Sequence, residues 1–221
     1  MDSHTSVLHP SDQSIPSTVP GKLRWAFSPH RIVGRLRQWQ YDLTSDYEPN
    51  LAPDAVESLA RVLDGSGTGI EWGSGRSTPW LANRLGKLVS VEHDPQWHRW
   101  VTQHLPADSN ADCLLRCFGN ETPTECAYVQ TVEQFEDESL DFCLIDGRMR
   151  LECALAVLPK IAHGGLLVLD DVQRYLKISE DSGRCEARME PWEPFARRIS
   201  GWPCLWERSL LRDTAIWVKL V

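Results

Sequence analysis

Four short apolar runs in this sequence each end in a carboxylate. Gly69-Ile70 is followed by Glu71, Leu88 to Val91 by Glu92, Leu140 to Ile145 by Asp146, and Gly165 to Leu169 by the pair Asp170-Asp171. Between the first two lies Trp72-Gly73-Ser74-Gly75-Arg76-Ser77, a tight turn feeding a helix candidate over Thr78 to Leu85. Trp80, Leu81 and Leu85 share a stripe of that helix, and Gly86 is its stop signal. Glycines let a backbone bend sharply and bring a ligand against main-chain N–H groups that no Cβ shields. A carboxylate about 20 residues further on is placed to accept both hydroxyls of a ribose. The spacing of Gly73, Gly75 and Glu92 therefore predicts a nucleoside-bearing ligand at the carboxyl end of a parallel sheet.

The choice of nucleoside turns on two residues. A dinucleotide fingerprint wants a third glycine where the helix packs on the strand, and here that place falls near Pro79, so a pyrophosphate cradle is the weaker reading. Glu71, just before the turn, repels a phosphate and suits an ammonium group. The stretch Thr68 to Asp94 resembles motif I and the acidic loop of the class I S-adenosylmethionine-dependent methyltransferases, whose cofactor carries an ammonium, a ribose and no phosphate.

That resemblance runs from about Ala55 to Val221. It implies a doubly wound α/β fold: a mostly parallel, seven-stranded Rossmann-like sheet with an antiparallel C-terminal strand. It implies cofactor contacts from Glu71, Gly73, Ser74, Gly75, Ser77, Glu92, His93, Asn120 and Asp146. Asn120 follows the third strand, where the family places a polar residue on the adenine amino group; an ordinary turn residue is the alternative. Asp146 is expected beside the transferred methyl group, as base, ligand to the cofactor ammonium or metal ligand, with a helix N-cap as its plainer role. Asp171 is the second catalytic candidate. Asp146, Asp170 and Asp171 together resemble the magnesium site of the catechol-type O-methyltransferases, and three carboxyl oxygens suit a hard divalent ion. Those enzymes carry asparagine in the place of Asp171, and their catalytic lysine has no counterpart here. The cofactor expected is thus S-adenosylmethionine, with magnesium as an alternative and no residue assigned to metal. Arg148, Arg150, Arg174 and Tyr175 are candidates for an acceptor pocket, since arginines suit a carboxylate or phosphate.

The implied activity is methyl transfer to a small-molecule acceptor by direct in-line displacement. Two rivals stay open: an NAD-linked oxidoreductase on a Rossmann fold, and a catalytically inactive nucleoside-binding module that serves as an interaction partner.

The elements that position these residues are legible in order. Residues 1–20 read as a structureless tail and 21–54 as a basic helical or loop extension; 55–221 form the catalytic domain. Pro53-Asp54 opens a helix with Ala55, Leu59 and Val62 at helical spacing. Asp94-Pro95 caps and starts another, whose stripe of Trp97, Trp100, Val101 and Leu105 is expected in the core, with Trp97 or Trp100 at the edge of the adenine as the alternative. Asp112 to Phe118 is the third strand. A further helix is expected over Leu151 to Ile161, stopped by His163-Gly164-Gly165. Val172 to Trp202 is long and mixed, part of it a candidate lid, with a returning helix over Glu193 to Ile199. Cys204 to Ser209 and Thr214 to Val221 read as a closing hairpin.

Composition narrows the partners. The formal net charge is −8, which disfavours a general nucleic-acid binder, because neutralising phosphates drives that kind of affinity. The seven cysteines are odd in number and form no CxxC pair, so they read as reduced thiols of a cytoplasmic protein. No apolar run approaches the length of a membrane span, and the N-terminus lacks the apolar core of a secretory signal.

Overall fold

The computed structural model describes residues 48–117, 119, 122, 125–179 and 183–220; the readings made on residues 1–47 and on Asn120 lie outside them. Its centre is a seven-stranded sheet: β1 (Thr68–Trp72), β2 (Lys87–Glu92), β3 (Ala111–Leu115), β4 (Leu140–Ile145), β5 (Ile161–Asp170), β8 (Cys204–Arg208) and β9 (Asp213–Val218). The spatial order is β3-β2-β1-β4-β5-β9-β8. Pairings from β3 through β5 are parallel, and β9 runs antiparallel to both neighbours. The order reverses between β1 and β4, because the chain winds outward through β2 and β3 and then returns to the middle. Ligands of open α/β sheets bind at such a reversal, beyond the carboxyl ends of the strands.

The strand sequences explain the layering. A strand buried on both faces reads as a continuous apolar run, and Leu140 to Ile145 is one. Phe142 and Leu144 point to one face, where α1 (Pro53–Val62) and α2 (Ser77–Ala82) cover them with Ala55, Leu59, Trp80 and Leu81. Cys143 and Ile145 point to the other, under α4 (Ala127–Gln130), α5 (Arg150–Val157) and α6 (Glu193–Arg198), through Tyr128, Ala154 and Phe195. The remaining helix, α3 (Pro95–His104), buries only Val101. After β5 the chain forms a small hairpin, β6 (Leu176–Ile178) with β7 (Cys185–Ala187), before α6 returns it to the sheet. Among the described residues no helix is long and apolar enough to cross a membrane.

Three sequence expectations are corrected. The helix predicted to reach Ile161 ends at Val157, because Ile161 already pairs with Leu140 as the first residue of β5. His163-Gly164-Gly165 therefore stops no helix; it lies inside β5 where the register with β4 shifts between Leu140 and Phe142, and the bulge takes Gly164 to φ +82°. Of the α3 stripe, Val101 is fully buried and Leu105 packs on the core, but Trp97 is not core, being 42% exposed.

Candidate active site

A cavity of about 890 Å³ opens at the carboxyl ends of β1, β2 and β4. Its floor is the meeting of two turns. Gly73 follows β1 with φ +95°, a conformation that favours glycine. A Cβ there would come within 2.6 Å of the Gly147 nitrogen. Gly147 follows β4, and a Cβ on it would collide with Tyr128 Oη and lie 2.8 Å from the Gly73 nitrogen. The two glycines let the loops touch without side chains. Their seam is backed by Tyr128, which is fully buried and accepts the Arg148 N–H through its hydroxyl at 3.3 Å.

The Gly73 and Gly75 N–H groups are already committed, to Val91 O at 2.9 Å and Thr78 Oγ1 at 2.9 Å. These glycines serve the cavity by shape, not as the ligand donors the sequence led one to expect. Behind them Glu71 is completely buried and accepts from Ser77 Oγ, from Thr78 Oγ1 at 2.6 Å and from Ser90 Oγ at 2.6 Å. Ser74 Oγ lies 2.6 Å from Ser90 Oγ and extends the network. Three neutral donors do not offset the loss of water, so burial pushes the Glu71 carboxyl up to about 7. Glu71 fastens the turn and α2 to β1 and β2 and does not line the cavity. The expectation that it meets a ligand ammonium is corrected: a parallel strand buried on both faces turns this side chain under the turn.

Glu92 does line the cavity, with its side chain 3% exposed. Oε1 accepts the N–H groups of His93 at 2.7 Å and Asp94 at 2.8 Å, and lies 2.7 Å from His93 Nδ1. This pins the carboxylate by one oxygen, and Oε2 makes no hydrogen bond among the described residues. The other wall of this end is Trp97, whose indole N–H donates to Ser74 O. Asp94 caps α3 as expected, accepting from Gln96 N at 2.7 Å and Trp97 N at 3.1 Å, and so fixes the turn that presents both Glu92 and Trp97.

At the β4 end the cavity is lined by Asp146, Arg148, Arg150, Arg174 and Tyr175. The Asp146 carboxyl sits well above the usual carboxylate range, because burial and the nearby Asp170 both oppose its charge. It accepts from Arg150 Nη2 at 2.8 Å through Oδ1. Tyr175 stacks on the buried Trp192, ring centroids 4.5 Å apart, which sets its ring against the cavity rim.

Residues 70–172 match the family model of a methyltransferase domain. That match spans just under half of the chain. The fold agrees with solved structures of low sequence identity. A methyltransferase-like protein of Silicibacter pomeroyi is 24% identical, with a TM-score of 0.52 over 79% of this chain and 89% of that one. An rRNA methylase of Streptococcus thermophilus is 15% identical, with a TM-score of 0.52 over 75% and 93%. No curated protein sequence matches the chain.

The structure brings Gly73, Ser74, Gly75, Ser77, Glu92, His93 and Asp146 together around one cavity. Asp171, the second catalytic candidate, stands just behind the wall: it takes φ 54° and pairs at 3.0 Å with Arg174, which lines the cavity. Trp97 lines the cavity, the alternative place for its stripe; Arg76 and Gly147 line it too and were not anticipated there. A signal for Trp97 existed: it sits two residues after Pro95, in the first turn of a helix that leaves a strand end, and first turns of that kind border the crevice. Tyr128 carried no such signal, because α4 is a single turn of helix in a stretch without period.

Proposed function

We propose that this protein is an S-adenosylmethionine-dependent methyltransferase that methylates a small molecule by direct in-line displacement. The reading rests on Glu92, a carboxylate held rigidly by one oxygen with the other left for a vicinal diol. Around it lies a turn with no glycine-rich phosphate cradle and a buried acid, Glu71, behind it. A cavity of about 890 Å³ is of the size that holds a nucleoside cofactor with a small acceptor beside it.

The sulfonium supplies an electrophilic methyl group, so no covalent enzyme intermediate is required. The acceptor lone pair forms the new bond as the carbon–sulfur bond breaks, and that bond's electron pair stays on sulfur. The protein's own work is positional, and positioning contributes about 7–11 kcal/mol in favourable cases. Glu92 and Trp97 would orient the nucleoside end, and the side-chain-free Gly73–Gly147 seam would leave the floor of the cavity open to the rest of the cofactor. Asp146, with its raised proton affinity, takes the proton from an acceptor hydroxyl or amine.

Calorimetry with S-adenosylmethionine and S-adenosylhomocysteine tests the reading. Micromolar-range binding is expected for the wild type, weakened by about 1.5–3 kcal/mol in Glu92→Ala through loss of charged hydrogen bonds. Binding of NADH in their place would defeat it.

A further inference from the structure

Asp146, Asp170 and Asp171 stand at the ends of adjacent strands, the arrangement behind the magnesium alternative. In this structure their charges are answered by arginines. Asp146 pairs with Arg150 at 2.8 Å, Asp171 with Arg174 at 3.0 Å, and Asp170 Oδ2 lies 3.7 Å from Arg212. Asp170 Oδ1 is taken by the Thr214 hydroxyl at 2.8 Å. No group of metal-binding side chains occurs among the described residues. These acids do not fit a divalent ion as they stand.

Arg150 is the centre of the cluster. A guanidinium has five N–H donors in a fixed planar fork. Nε donates to Gly147 O at 3.0 Å, and Nη2 donates to Asp146 O at 2.7 Å and Asp146 Oδ1 at 2.8 Å. Nη1 donates to Asp170 O and lies 4.0 Å from Asp171 Oδ2. The fork thus joins the end of β4, the turn after it and the end of β5. With its side chain 12% exposed, Arg150 has four of its five donors taken and the fifth on the nitrogen that faces Asp171, although it lines the cavity. A metal could enter only by expelling the guanidinium and leaving a buried charge without partners, which is strongly unfavourable.

We propose that Arg150 stands in for a divalent cation: it is a built-in positive charge that ties β4 to β5 and holds Asp146 in the cavity wall, so the reaction runs without metal. The catalytic clause rests on the proposed methyltransferase function; the clamp does not. Arg150 is a positioning residue in this account, acting through Asp146 and the Gly147 turn.

Two measurements on the full chain decide it. Titration with Mn²⁺, read by electron paramagnetic resonance with and without S-adenosylhomocysteine, should show no bound ion that depends on Asp146. One Mn²⁺ per chain, lost in Asp146→Asn, overturns the proposal. Calorimetry with S-adenosylhomocysteine then compares Arg150→Lys and Arg150→Met with Arg61→Gln, a remote exposed pair, at a temperature where all are folded. A dissociation constant raised about tenfold or more is expected for both Arg150 variants, since lysine cannot reproduce the fork. A merely structural role would lower their melting temperatures and leave that constant unchanged, which overturns positioning. If the wild type binds no S-adenosylhomocysteine, the functional reading fails by itself. The Mn²⁺ titration and melting temperatures of the Arg150 variants below that of Arg61→Gln then still decide the clamp.

Discussion

The two ends of the cavity hold their acids by opposite means. At the β1–β2 end, Glu71 and Glu92 are bound by hydroxyls and backbone N–H groups, with the His93 ring beside Glu92. At the β4–β5 end, Asp146, Asp170 and Asp171 face Arg150, Arg212 and Arg174. Neutral donors stabilise a carboxylate without cancelling its field, whereas guanidiniums cancel it. One end is therefore left electronegative, suited to a cationic ligand, and the other is balanced, suited to fixing a geometry. Like residue types at like positions on neighbouring strands thus do different work, and the difference lies in their partners.

The largest expected effect breaks the seam that joins the two ends. Gly147→Ala should abolish detectable S-adenosylhomocysteine binding and destabilise the fold by about 1–3 kcal/mol or more, as overpacking does. Adding Tyr128→Phe removes one of the two clashing groups and should restore part of the stability, measured by thermal melting.

A second change sharpens the contrast by neutralising the electronegative end. Glu71 has a native proton affinity raised from 4.5 to about 7, so the native state binds the extra proton between those values. The stability this proton confers is complete below 4.5, fades as pH rises and is lost above about 7. Glu71→Gln removes that dependence. Its stability relative to the wild type, from denaturant unfolding, should climb between pH 4.5 and 7 and then level off, for a total of up to about 3 kcal/mol. A difference that stays flat across the window would show that the hydroxyl network stabilises the ionised acid fully.

The smallest effect belongs to Trp97→Phe. It keeps an aromatic wall and loses only the hydrogen bond to Ser74 O. S-adenosylhomocysteine binding should weaken by about 1 kcal/mol, with melting nearly unchanged.

Most of the scaffold was legible in the sequence because burial on two faces leaves unbroken apolar runs, and each such run emerged as a strand. The acids at the ends of those runs were legible for the same reason, since each interrupts an otherwise apolar stretch. Their partners were not. Whether Glu71 points over or under its turn depends on strand register, and whether Asp146 meets metal or arginine depends on Arg150 reaching from the first turn of α5 to β5. Both are long-range facts that no local spacing carries. The bulge at Gly164 was misread because a glycine pair after an apolar helix looks the same whether it ends the helix or bends the next strand.

The contact between Gly73 and Gly147 has a bearing on how this cavity can be remodelled. Neither loop can gain bulk unless the other retreats, so the two must be altered in concert at that spot. Diversification has its freedom further out, at the Arg148 side chain and along the Tyr175 rim, where changes leave the shared floor untouched.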